Sequence, residues 1–123
     1  MVERVISRDE ILKGQECPSN LEGNLQGLLL ALNRFRAAYG KPMIVNSGYR
    51  SPEHNASVGG RPGSAHVLCQ AADFRDPTGS LASFCLENVQ LLEHCGLWLE
   101  SPSYTKGWVH LQTRPALHRV FIP

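Results

Sequence analysis

LWLESPSYTKGWVHLQ, residues 97–112, is the stretch whose reading decides the fold. Leu97–Glu100 and Trp108–Gln112 each read as a short strand rich in aromatic and branched residues. Ser101 to Gly107, with Pro102 near its start and Gly107 at its end, reads as the connecting loop. Strands joined this closely usually pair antiparallel. In Trp108–Gln112 alternation puts Trp108, His110 and Gln112 on one face and Val109 and Leu111 on the other. The apolar face can bury. The opposite face presents an imidazole between an aromatic ring and an amide, which suits the floor of a cleft.

Working outward, Leu81–Cys95 reads as a helix that turns Leu81, Phe84, Cys85, Val89 and Leu92 inward and closes at Gly96. Gln70–Phe74, Met43–Val45 and Arg119–Ile122 read as further strands. Leu21–Tyr39 is the clearest helix. Leu21, Leu25, Leu28, Leu29, Leu32 and Phe35 recur at helical spacing, Asn20 can cap the start, and Gly40 with Pro42 ends it. The stretch from Tyr49 to Ala65 is rich in Pro, Gly, Ser and Asn and reads as a functional loop. A short helix at Glu53–Ser57 is signalled inside it by Ser51 and Pro52. Ser7 and Glu10 form a capping-box pair in a short opening segment, residues 1–20. The expected fold is α+β: a small antiparallel sheet packed against two main helices, as a single domain over residues 1–123.

A chain of 123 residues with 42% apolar composition can bury a real core without disulfide staples. A net charge of +1 gives no electrostatic reason to expect nucleic acid or an anionic membrane as partner. No apolar run reaches the roughly 18 residues of a membrane span. Met1 to Lys13 interleaves charges with apolar residues, unlike a secretory signal, so synthesis in the cytoplasm is the expectation. Cys17, Cys69, Cys85 and Cys95 show no C-x-x-C spacing and are expected to be reduced thiols.

Asp73 is the first chemical anomaly, a carboxylate in an apolar strand, costly to bury unless it is paired or bound to a cation. His66 stands shortly before it, at the end of the Gly-rich loop, and His110 lies on the cleft face of the later strand. Imidazole and carboxylate are natural zinc ligands, and three ligands with one open position suit a catalytic ion. Spacing alone leaves a structural His–Asp pair and a satisfied, half-buried histidine open beside the metal reading. The H-x-x-C spacing of His66 and Cys69 is a further zinc-binding alternative.

Ser47-Gly48-Tyr49-Arg50-Ser51-Pro52-Glu53, Ser64-Ala65-His66, Ala71-Ala72-Asp73 and Trp108-Val109-His110 together resemble the D-alanyl-D-alanine carboxypeptidase family of zinc peptidases. That family includes phage endolysins and L-alanyl-D-glutamate endopeptidases and is related in fold to the hedgehog signalling domain. The resemblance covers about Leu21 to Pro123. It implies a Zn2+ ion held by His66, Asp73 and His110. It implies that Arg50 meets a substrate carboxylate or the developing oxyanion, a role suited to its planar, permanent charge. Ser47 and Gln112 match positions that orient substrate or ligands. The implied activity is hydrolysis of peptidoglycan stem peptides, either releasing terminal D-Ala or splitting the L-Ala–D-Glu bond. A monomeric, phage-encoded wall peptidase is the implied setting.

Two departures bear on activity. Cys69 stands where the family often has Gly, and Gly107 stands where many members carry the catalytic acid. A zinc-bearing binding module without catalysis is therefore the rival reading. A register that pairs Glu100 with Trp108 would put Glu100 on the face of Trp98, His110 and Gln112, diagonal to His110, which makes Glu100 the expected general base. Glu53 and His54 are the next candidates. His54 lies near the loop and is a candidate border of the cleft. His94 is expected to complement a helix C-terminus, and His118 to be solvated.

Overall fold

Ser7 and Glu10 start the chain's first helix as their spacing predicts. The Glu10 amide donates to Ser7 Oγ and the Ser7 amide donates to the Glu10 carboxylate, so the box opens α1 (Arg8–Leu12). The computed structural model describes residues 5–123, so residues 1–4 of the expected opening segment and domain lie outside the described residues. α1 buries Ile11 and Leu12, and the Ile11 carbonyl accepts from the Tyr49 amide at 2.9 Å. A β-carbon on Gly48 would lie 2.4 Å from that same carbonyl oxygen, so only glycine admits this approach.

The leucine stripe forms α2 (Glu22–Tyr39), which buries Leu25, Leu28, Ala31, Leu32 and Phe35 and ends at Gly40 in the left-handed region. Asn20 does not cap it. A 3-10 turn over Ser19–Leu21 precedes α2 and uses the Pro18 carbonyl as acceptor for the Leu21 amide, so no side-chain cap is made there. After α2 come β1 (Val45–Ser47), two residues later than expected, and α3 (Pro52–Ser57), capped by Ser51 as expected. β2 (Ala71–Arg75) follows.

The second long helix is broken in two, α4 (Ser80–Glu87) and α5 (Val89–Cys95). Asn88 leaves helical geometry, and its side-chain amide donates to the Phe84 carbonyl at 2.8 Å, competing with the backbone ladder. Phe84 meets Phe35 edge-on at 5.7 Å, tying α4 to α2. β3 (Trp98–Glu100), β4 (Trp108–Gln112) and β5 (Val120–Phe121) complete the chain.

The five strands form one sheet in the order β1-β2-β4-β3-β5. The α+β class is as expected, but the sheet is mixed: β5 runs parallel to β3, pairing Leu99 with Val120. Ala72, Phe74, Leu99, Val109 and Leu111 point to one face and join the core side chains of α2, α4 and α5. All four cysteines are unpaired, and burial pushes the Cys69 and Cys85 thiols up to about 12. Among the described residues no helix is long and apolar enough to cross a membrane.

Candidate metal centre

The face of the sheet away from the helices carries the chemistry. Register sets Ser47 of β1 opposite Asp73 of β2, and Asp73 opposite His110 of β4. β3 pairs Trp98 with Gln112 and Leu99 with Leu111, so alternation returns the next residue, Glu100, to the face of Trp98, His110 and Gln112. Ser47, Asp73 and His110 therefore occupy one rung across three strands, and Glu100 lines the same cleft from β3. The β3–β4 register corrects the expected pairing of Glu100 with Trp108. On its other edge β4 pairs Trp108 with Arg75 of β2, and the Asp76 amide donates to the Gly107 carbonyl. The shift is two residues, which preserves the face of Glu100.

His66 reaches the rung from the loop before β2. Its Nε2 lies 3.2 Å from Asp73 Oδ2, and His110 Nδ1 lies 2.8 Å from Asp73 Oδ1. All three residues are buried, and their ligand-type atoms lie within 4.8 Å of one another. Burial pushes the Asp73 carboxyl up, but hydrogen bonds with His110 and His66 outweigh it and hold the group at about 2. Burial pulls His110 down, and its contact with Asp73 more than offsets that, leaving it raised.

The outward nitrogens test whether a metal fits. His66 Nδ1 lies 2.7 Å from the Gly48 carbonyl, and His110 Nε2 lies 2.7 Å from Gln112 Oε1. Both partners are acceptors, so each outward nitrogen keeps its hydrogen, and an inward nitrogen that gives up the hydrogen it shares with Asp73 presents a lone pair. Two such lone pairs and the carboxylate form a donor set in which a cation would take the place of the shared hydrogens. The two histidine nitrogens lie 3.2 and 2.8 Å from the two oxygens of one carboxylate, so all three side chains converge on one point. Two imidazoles and a carboxylate fit zinc in ligand number and type.

Arg50 borders the rung. Its Nε donates to Ser47 Oγ at 3.2 Å, and its Nη2 lies 3.7 Å from Asp73 Oδ2. Ser47 thus contacts Arg50 within the chain. Glu100 is half-buried in the same cleft, which has a volume of about 340 Å³. Burial raises its pKa; His110 opposes the rise and Asp73 adds to it. Gly107 has φ +83, a conformation that strains any side-chain-bearing residue, so the backbone here disfavours a carboxylate at the usual position. Cys69 packs into the apolar core and is no part of the metal-capable group, against the H-x-x-C alternative. Its φ of +57 shows why glycine suits that position. His54 lies exposed on a separate groove with Lys13, Gln15 and Tyr49 rather than on the cleft, and Glu53 is exposed outside it.

Sequence reasoning missed three contributors. Asn55 is buried. Its Nδ2 donates to the Arg61 carbonyl at 2.7 Å, while Arg50 Nη1 reaches its Oδ1 at 3.5 Å. Arg61 and Arg114 join Arg50 in the cleft wall. Asn55 carried no signal because an asparagine in a short, polar helix reads as solvated.

The family model described as Peptidase M15 matches residues 5–112. No curated protein matches the chain.

Proposed function

The chain belongs to the peptidase M15 family, whose members are typically zinc-dependent, and on that premise we propose that it hydrolyses peptidoglycan stem peptides, using His66, Asp73 and His110 as the metal ligands. The observation that carries this reading is the single cleft at which a His–Asp–His cluster, an arginine-bound serine and a half-buried glutamate meet. A zinc ion held there supplies Lewis acidity, which polarises a carbonyl and makes water nucleophilic near neutral pH.

The remaining roles fall to the chain's own residues. Glu100 accepts the proton of the attacking water and passes it to the leaving amine; its raised pKa makes it a better base than an exposed glutamate. Arg50, half-buried beside Asp73, offers its fork to the negative charge that develops on the scissile carbonyl or to a carboxylate of the peptide. Arg61 and Arg114 add positive charge to the cleft wall, which favours a peptide rich in carboxylates. Release of a terminal D-Ala and cleavage of the L-Ala–D-Glu bond are the two outcomes of this chemistry. The proposed setting is a monomeric, phage-encoded enzyme made in the cytoplasm and delivered to the wall.

Zinc-loaded protein incubated with purified peptidoglycan, with the fragments weighed by mass spectrometry, tests the reading. New amino termini or free D-Ala are expected. Zinc-bound protein that leaves the peptides intact would overturn it in favour of the binding module.

A further inference from the structure

We propose that Gln112 is a positioning residue that fixes which nitrogen His110 offers to a metal; the inference rests on the proposed metal site. The two histidines of the cluster are held by different means. His66 gives its Nδ1 hydrogen to the Gly48 carbonyl, a backbone group that cannot turn over. His110 gives its Nε2 hydrogen to the side-chain oxygen of Gln112. A carboxamide can rotate by half a turn and present its NH2 in place of its oxygen. That rotation would leave a donor facing His110 Nε2, and the ring would answer by moving its hydrogen to Nδ1, the nitrogen that faces Asp73.

The surroundings of Gln112 oppose this rotation. Its Nε2 donates to the Arg114 carbonyl at 2.8 Å. Turned over, the amide would set its oxygen against that carbonyl, acceptor against acceptor. Gln112 is only 5% exposed, so water offers little compensation. Arg114 is itself held, with Nη1 donating to the Gly63 carbonyl at 2.6 Å. The chain of contacts from Gly63 through Arg114 and Gln112 ends at His110 and leaves Nδ1 free to ligate. Both amide atoms of Gln112 are thereby engaged within the protein, which favours, of the two roles the resemblance implies, the orienting of a ligand.

Two substitutions separate this role from packing. Gln112→Met keeps the volume and removes the acceptor. Gln112→Glu keeps an acceptor toward His110 and sets a carboxylate against the Arg114 carbonyl. Zinc affinity, measured by competition with a chromophoric chelator, is expected to fall about 10–100-fold in Gln112→Met and to hold or tighten in Gln112→Glu. A purely structural role predicts the reverse order. The 15N spectrum of zinc-loaded wild-type protein gives a readout independent of any variant's folding: His110 should carry its hydrogen on Nε2, in slow exchange, with the metal on Nδ1. Equal zinc affinity in wild type and Gln112→Met, or metal on Nε2, overturns this inference alone. Wild-type protein that binds no zinc overturns the metal site and this inference with it.

Discussion

Glu100→Gln is the perturbation that bears most directly on the proposed chemistry. The substitution keeps the shape of the side chain and removes the proton acceptor. Glu100 lines the same cleft as His66, Asp73 and His110, on the face of β3 that His110 shares, so its carboxylate is placed for a water shared with the ligand cluster. General-base assistance contributes about 10²–10⁴-fold. A loss of at least about 10²-fold in kcat/KM, equivalent to about 2.7 kcal/mol of barrier, is therefore expected with zinc content unchanged. The pH profile sharpens the test. Burial raises the Glu100 pKa, so the acid limb of the wild-type profile should lie above the ordinary glutamate range, and the variant should lack it. Stability should move the other way. A carboxyl whose pKa is raised by folding holds its proton more tightly in the folded state and opposes folding once pH rises past its unfolded value. Removing that charge should leave the metal-free variant at least as stable as wild type at neutral pH, in keeping with strain held at a functional site. Stem-peptide cleavage at wild-type rates by Glu100→Gln would refute the assignment.

Further outcomes follow from the same rung. His66→Ala and His110→Ala should each lose most of the bound zinc on metal analysis; full retention in both would sink the ligand set. Arg50→Ala should keep its zinc while kcat/KM falls by about 2–3 kcal/mol, as for a charge-assisted contact, and Lys should rescue poorly for want of a planar fork. Near-normal activity in Arg50→Ala would exclude the role. Gly60→Ala would place a β-carbon 2.1 Å from Asn55 Oδ1, and displacing that buried amide should cost about 1–3 kcal/mol in denaturant unfolding and loosen Arg50. Unchanged stability would show that the 59–61 loop yields without strain.

The parts of the fold set by local periodicity were legible in the sequence. Alternation in Trp108–Gln112 assigned its two faces correctly because Val109 and Leu111 must bury together while His110 and Gln112 cannot join them. The stripe of α2 was legible for the same reason. Register was not, because a shift of two residues between β3 and β4 leaves every side chain on its face and so has no signature in alternation. The edge strand was legible within Arg119–Ile122, but its parallel direction was not, because two paired residues, Val120 and Phe121, carry no signal of direction. The break at Asn88 comes from one side chain capturing a carbonyl, a competition that helical spacing does not encode. The gathering of His66, Asp73 and His110 was expected from likeness to known peptidases; spacing alone left it open.

The close approach of Ile11 to Gly48 makes the first helix a keystone of the cleft rather than its doorstep. The Ile11 carbonyl anchors the Tyr49 amide, and Lys13 reaches the Val45 carbonyl at 3.1 Å. Gly48, gripped from that side, lends its own carbonyl to His66. A map of where this chain tolerates change therefore does not fade smoothly with distance from the chemistry. It has a second dark spot, at a glycine whose missing side chain lets one end of the protein hold a histidine at the other's centre.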